Sequence, residues 1–95
     1  MLIDKGISQG EVISIKLSNG DELIGRLESE NTEEIKVERP LAVTIGPQGL
    51  GMMPWVFLGA RDVHSIKKIH IYSMMPSKKE AADQYMQGTT GIALR

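Results

Sequence analysis

The chain has 95 residues, enough for one domain and too few for two. Its 11 Lys and Arg against 12 Asp and Glu leave a formal net charge of -1, so bulk electrostatics gives no argument for phosphate binding and any nucleic-acid role must rest on a local patch. The absence of cysteine excludes disulfide frameworks, thiol nucleophiles and cysteine zinc sites together.

The opening segment MLIDKGISQGE holds no apolar run of signal-peptide length, and no stretch approaches the ~20 apolar residues that cross a bilayer. The expectation is a soluble cytoplasmic protein with no membrane partner. A domain of this size buries only about two-thirds of the surface its unfolded chain exposes, so association with copies of itself is an expected source of further stability.

In chain order, residues 1–10 show little periodicity and read as a lead-in. Residues 11–17, EVISIKL, place Ile13, Ile15 and Leu17 on one face and Ser14 and Lys16 on the other, the period-two pattern of a half-buried strand. Asn19-Gly20 predicts a tight hairpin turn, because both residue types tolerate positive φ. A second strand over 22–29 carries Leu23 and Leu27 around Gly25; a glycine inside a strand marks a sharp bend, here a barrel corner. After a polar turn at 30–34, residues 35–45 predict a third strand with Ile35, Val37, Leu41, Val43 and Ile45 apolar. Pro40, which has no backbone donor, predicts a bend or bulge there with an edge facing solvent.

Residues 46–53, GPQGLGMM, predict a flexible loop, and residues 54–58, PWVFL, a short strand buried on both faces. A turn at 59–62 leads to a fifth strand within residues 63–72, VHSIKKIHIY. Ser77 with Glu80 three residues later makes a capping box, opening a short helix over 77–87 that Gly88 ends. Residues 88–95 read as a tail. There is no internal repeat and no low-complexity segment. The sum is an all-β domain over residues 11–73, a small barrel with SH3-like or OB-like curvature, followed by a short C-terminal α-helix.

Within this pattern, residues 17–27, LSNGDELIGRL, resemble the first motif of the Sm family: an alternating strand, an Asn-Gly turn, and a strand with an apolar-x-Gly-x-apolar core, here Leu23, Gly25 and Leu27. Residues 56–66, VFLGARDVHSI, are similar in their strand–turn–strand lengths to the second motif. The resemblance spans residues 11–72 and points to a divergent Sm-like (LSm) protein, similar to a small set attributed to marine cyanophages.

That resemblance implies a strongly bent five-stranded Sm-like barrel whose last two strands pair edge to edge between neighbours, closing a homo-oligomeric ring of about five to eight copies. Such pairing satisfies the N–H and C=O groups that an open sheet leaves bare at its two borders. On this reading Trp55, Val56, Phe57, Leu58, Val63 and Ile66 form the subunit interface. Filling of the barrel's own core by Trp55 and Phe57 is the competing reading.

The resemblance also implies single-stranded RNA at a central pore, with a base held between two turns. Aligned from Gly25, the first turn holds Asn31, Glu33 at the stacking position and Glu34 at the base-bonding position; the second holds Arg61, displaced by two positions, and Asp62. Carboxylates at 33 and 34 repel a phosphate chain, whereas Arg61 could stack on a base, a surface ion pair with Asp62 being the alternative.

Other chemistry is thin. His64 and His70 would lie about 20 Å apart along one strand, too far for a shared metal. The adjacent carboxylates Asp21-Glu22 and Glu33-Glu34 point to opposite faces and form no acid–base pair. The glycines at 46, 49 and 51 lack the ending of a phosphate loop. The methionines at 52, 53, 74, 75 and 86 suit an interface and a core equally, and Lys67, Lys68, Lys78 and Lys79 make a modest basic cluster. The expectation is no enzyme, no cofactor and no metal. Two functions remain: a ring with an RNA-related role, or a ring used as a structural or adaptor module for a protein partner, which the carboxylates at 33 and 34 favour.

Overall fold

The computed structural model describes residues 2–3 and 7–93. Seven strands are assigned among them: β1 (Leu2–Ile3), β2 (Val12–Leu17), β3 (Glu22–Glu30), β4 (Glu34–Gly46), β5 (Gly49–Pro54), β6 (Val63–Lys67) and β7 (Ile71–Pro76). A 3-10 turn, Lys68–His70, separates β6 from β7, and the helix α1 (Lys79–Ala93) closes the chain. The sheet runs β1-β7-β2-β3-β4-β5, with β6 also paired to β4.

Alternation predicts the core. Ile13 and Ile15 of β2, Leu23 and Leu27 of β3, Ile35 and Val37 of β4, Ile66 of β6, and Ile71 and Met74 of β7 all turn inward and form one buried cluster. Ile24, on the opposite face of β3, is buried as well. The helix packs near this side: Tyr85 is buried, and its hydroxyl donates to the Glu38 carbonyl at 2.5 Å.

Gly25 is the barrel corner. A Cβ there would collide with Val37 Cγ1 and sit 3.2 Å from the Glu38 carbonyl oxygen and 3.3 Å from Pro40 Cα. The β3–β4 register slips between Ile24 and Arg26, so the bend and the missing side chain coincide. The hairpin before it differs in detail from the expected two-residue turn: Gly20 alone takes positive φ (100°), Gly20 N–H donates to Leu17 O, and Asn19 Oδ1 accepts from the Asp21 N–H. This matches a three-residue loop ending in a left-handed glycine.

Pro40 does mark a bend, but not a solvent edge. β4 lies between β3 on one side and two successive partners on the other: β6 along residues 34–38 and β5 along residues 41–46. The change of partner falls at Arg39, whose φ of 46° is the single positive value for a non-glycine among the described residues. Its backbone N–H bonds the Asp62 carbonyl, and Pro40 is buried, its carbonyl accepting from the Trp55 N–H at 3.1 Å.

Two expectations for the segment after β4 fail. Residues 46–53 form no flexible loop: Gly46 pairs with Gly49 across Pro47-Gln48, and the ladder continues to Leu41 and Pro54. Residues 55–58 are not a buried strand but bends and turns. The β4–β5 hairpin consumes the pairing, so the apolar run after Pro54 falls beyond its end.

The single fifth strand is broken by the Lys68–His70 turn. Ile66 and Ile71 are both buried yet five apart, an odd spacing that an uninterrupted strand would place on opposite faces.

The capping box also gives way. Ser77 Oγ pairs with Ser14 Oγ at 2.8 Å, its N–H extends the ladder to Val12 O, and the helix begins at Lys79. The helix continues through Gly88 to Ala93, where a tail was expected, and Thr89 is buried with its hydroxyl on Tyr85 O at 2.9 Å. Part of the lead-in (residues 1 and 4–6) and the tail residues 94–95 lie outside the described residues, while Leu2–Ile3 form β1. No helix among the described residues is long and apolar enough to cross a membrane.

Candidate nucleic-acid interface

The turn between β3 and β4 is shaped by its own polar residues. Asn31 Oδ1 accepts from both the Glu33 and Glu34 N–H groups at 2.9 Å, and Asn31 N–H donates to Glu34 O. The Asn31 carbonyl oxygen is thereby used in holding the turn. This turn meets the Lys68–His70 turn, with Lys68 N–H donating to Glu33 O at 2.8 Å. Ser18, after β2, joins them from the side, its N–H and hydroxyl both donating to His70 O.

Two ion pairs cross the junction. Lys68 Nζ lies 2.7 Å from Glu30 Oε2, and Lys67 Nζ lies 3.0 Å from Glu34 Oε1. The Lys67 bond, reinforced by the charge itself, lowers the Glu34 pKa below its ordinary 4.5, and Glu34 raises that of Lys67 above 10.5. The stabilisation from Glu34 is therefore present above pH 4.5 and lost as pH falls through the lowered value; that from Lys67 is present below pH 10.5 and lost as pH rises through the raised one. Both groups reach water, so the pair is a modest contributor.

Above these pairs is an open recess walled by Thr32, Glu33, Lys67, Lys68 and Tyr72. Ile69 (81% exposed) and Tyr72 (68% exposed) stand free at its margin. A flat aromatic beside lysines can stack a base and meet its phosphate, although Glu30, Glu33 and Glu34 offset the two lysines.

The structure therefore brings the expected first turn together with a different second one. Arg61 and Asp62 lie at the far end of β6, since β6 runs antiparallel to β4 with Glu34 opposite Lys67 and Glu38 opposite Val63. That end is roughly 15 Å away at the usual strand rise. There Asp62 carries an ion pair with Arg39 at 3.6 Å, and Arg61 O accepts from His64 Nε2 at 2.9 Å. Arg61 pairs with neither Asp62 nor the 31–34 turn.

Of the expected interface residues, Ile66 is in the core and Trp55 packs half-buried against it. Val56, Phe57 and Leu58 are exposed on the 55–62 connection, Leu58 by 97%, and Val63 is exposed at the start of β6. The recess residues to which the sequence pattern gave no role are Ile69 and Tyr72. The signal for them was the broken parity between Ile66 and Ile71, with Lys67-Lys68 inside the break.

No family model matches the sequence, and no curated protein does. Among solved structures, a heptameric archaeal Sm protein superposes with a TM-score of 0.52 at 16% identity, over 75% of this chain and 91% of that one. At that identity the likeness is one of architecture. The chain has the Sm fold. Within the Sm fold as this chain builds it, the strand–turn–strand unit that faces the 31–34 turn is β6, Lys68–His70 and β7, later in the sequence than the 56–66 segment that resembles the second motif.

Proposed function

We propose that this chain is the subunit of a homo-oligomeric ring that presents the surface of its 30–34 and 67–72 segments to single-stranded RNA. The observation that carries the ring is a pair of unlike borders. β5 and β6 each pair with β4 on one side and with no strand on the other among the described residues, whereas the outer side of β7 meets only the two-residue β1. Exposed apolar side chains accompany both borders, Met53 and Val63 at one, Tyr72 and Met75 at the other. Two different borders joined head to tail generate a closed ring when the rotation per copy closes, and the superposed archaeal Sm protein is heptameric.

RNA is the reading for the turn surface because Tyr72 stands exposed beside Lys67 and Lys68. A second reading, a ring that serves as an adaptor for a protein partner without catalytic or cofactor chemistry, draws on the three carboxylates that outnumber those lysines. Light scattering decides the first part: the ring reading expects a mass several times the 10.5 kDa chain. Fluorescence anisotropy with a short oligouridylate at low salt decides the second, with binding that weakens as salt rises and drops about tenfold in Tyr72→Ala. A ring that ignores RNA at low salt leaves the adaptor reading.

A further inference from the structure

We propose that β1 is a removable plug: the N-terminal strand occupies, within its own chain, the border of β7 that a neighbouring copy needs. The inference rests on the ring reading above and deepens it. A strand has two hydrogen-bonding sides. On one, β7 is filled by β2, from Ile13 opposite Pro76 to Leu17 opposite Ile71. On the other, Leu2 stands opposite Ser73 and Ile3 opposite Met74, in parallel. Ser73 and Met74 lie in the middle of β7, so a neighbour's strand cannot form a continuous ladder along this border while β1 is in place.

The plug is short, and that shortness makes it displaceable. Two residues supply only a few ladder bonds, and a parallel pair is slightly weaker per residue than an antiparallel one. A neighbour running the length of β7, which has six residues, offers more bonds than β1 relinquishes. At low concentration the middle of the border stays covered and cannot template a continuous ladder, the hazard of any bare sheet edge. At higher concentration copies outcompete it, and β1 comes free as the ring closes.

The test keeps the full chain and changes its backbone donors. Leu2→Pro together with Ile3→Pro removes both N–H groups from β1. In a dilution series followed by light scattering, the concentration at half-assembly is expected to fall roughly three- to tenfold relative to the unaltered protein, the equivalent of one net hydrogen bond. Leu2→Ala with Ile3→Ala, which retains both donors, is expected to stay within about twofold. An unchanged midpoint in the proline variant overturns the plug and leaves the ring standing. A raised midpoint means that β1 belongs to the assembled interface, and overturns it too. An equal fall in the alanine variant places the effect in side chains and defeats the ladder argument. Failure of every variant to assemble at millimolar concentration removes the ring reading and the plug with it.

Discussion

The two halves of β4 carry the same pattern and meet different fates. In the first, Ile35 and Val37 alternate with Lys36 and Glu38 and are fully buried. In the second, Leu41, Val43 and Ile45 also stand two apart, but the register slip at Gly25 turns them to the face of Ile24 while Ala42 takes the core side, and Ile45 stands 84% open. The difference is the second layer. Residues 34–38 face β2 and β7 across the barrel through the shared core, whereas residues 43–46 pair with β5 alone and make an arm that runs out beyond it. Alternation tells which side chains share a face; burial requires something for that face to meet.

Substitutions can break that contrast or sharpen it. The largest effect is expected at Ile35→Ala, which opens a cavity in the closed half and costs about 3 kcal/mol by urea denaturation. Gly25→Ala comes next, about 2 kcal/mol, because the added methyl meets Val37 and two backbone atoms that cannot yield without moving the bend.

Tyr85→Phe removes the bond to Glu38 O and costs about 1 kcal/mol. It also changes the alkaline limb. Burial pushes the Tyr85 hydroxyl up to about 12 from an ordinary 10.0, so its stabilisation holds below pH 10.0 and is lost as pH rises through about 12; the phenylalanine variant shows less of that loss. The smallest effect belongs to Ile45→Ser on the arm, within about 0.5 kcal/mol. A cost near that of Ile35→Ala would show that the arm is covered in solution.

How much of this was legible in the sequence follows the same division. The strands β2 and β3, the corner at Gly25 and the inward residues of early β4 could be read directly, because pattern and packing agree there. The arm was misread as a loop because three glycines and a proline looked like flexibility, whereas Pro47-Gln48 makes a tight reversal and Gly51 lies against Thr44, whose hydroxyl would stand 2.8 Å from an added Cβ. The apolar run 54–58 was misread as a buried strand because hydrophobicity alone carries no information about the partner.

The candidate interface was half legible. Asn31, Glu33 and Glu34 do lie together on the turn between β3 and β4. The second turn was sought at Arg61 because strand–turn–strand lengths match there, while the actual contact partner is the turn after Lys67. Only three-dimensional pairing distinguishes two turns of similar length at opposite ends of one strand. The side-chain use of Ser77 against Ser14, in place of a helix cap, is of the same kind.

One consequence of the position of β4 concerns motion. It shares ladders with β3, β5 and β6, so its amides between Ile35 and Ala42 cannot be released without parting strands on both sides. Their exchange with heavy water should require unfolding of the whole domain, while the tip of the arm around Gly46 and Gly49 trades its hydrogens through local fraying. A strand that touches three others is thus the slowest clock in the molecule, and its far end one of the fastest.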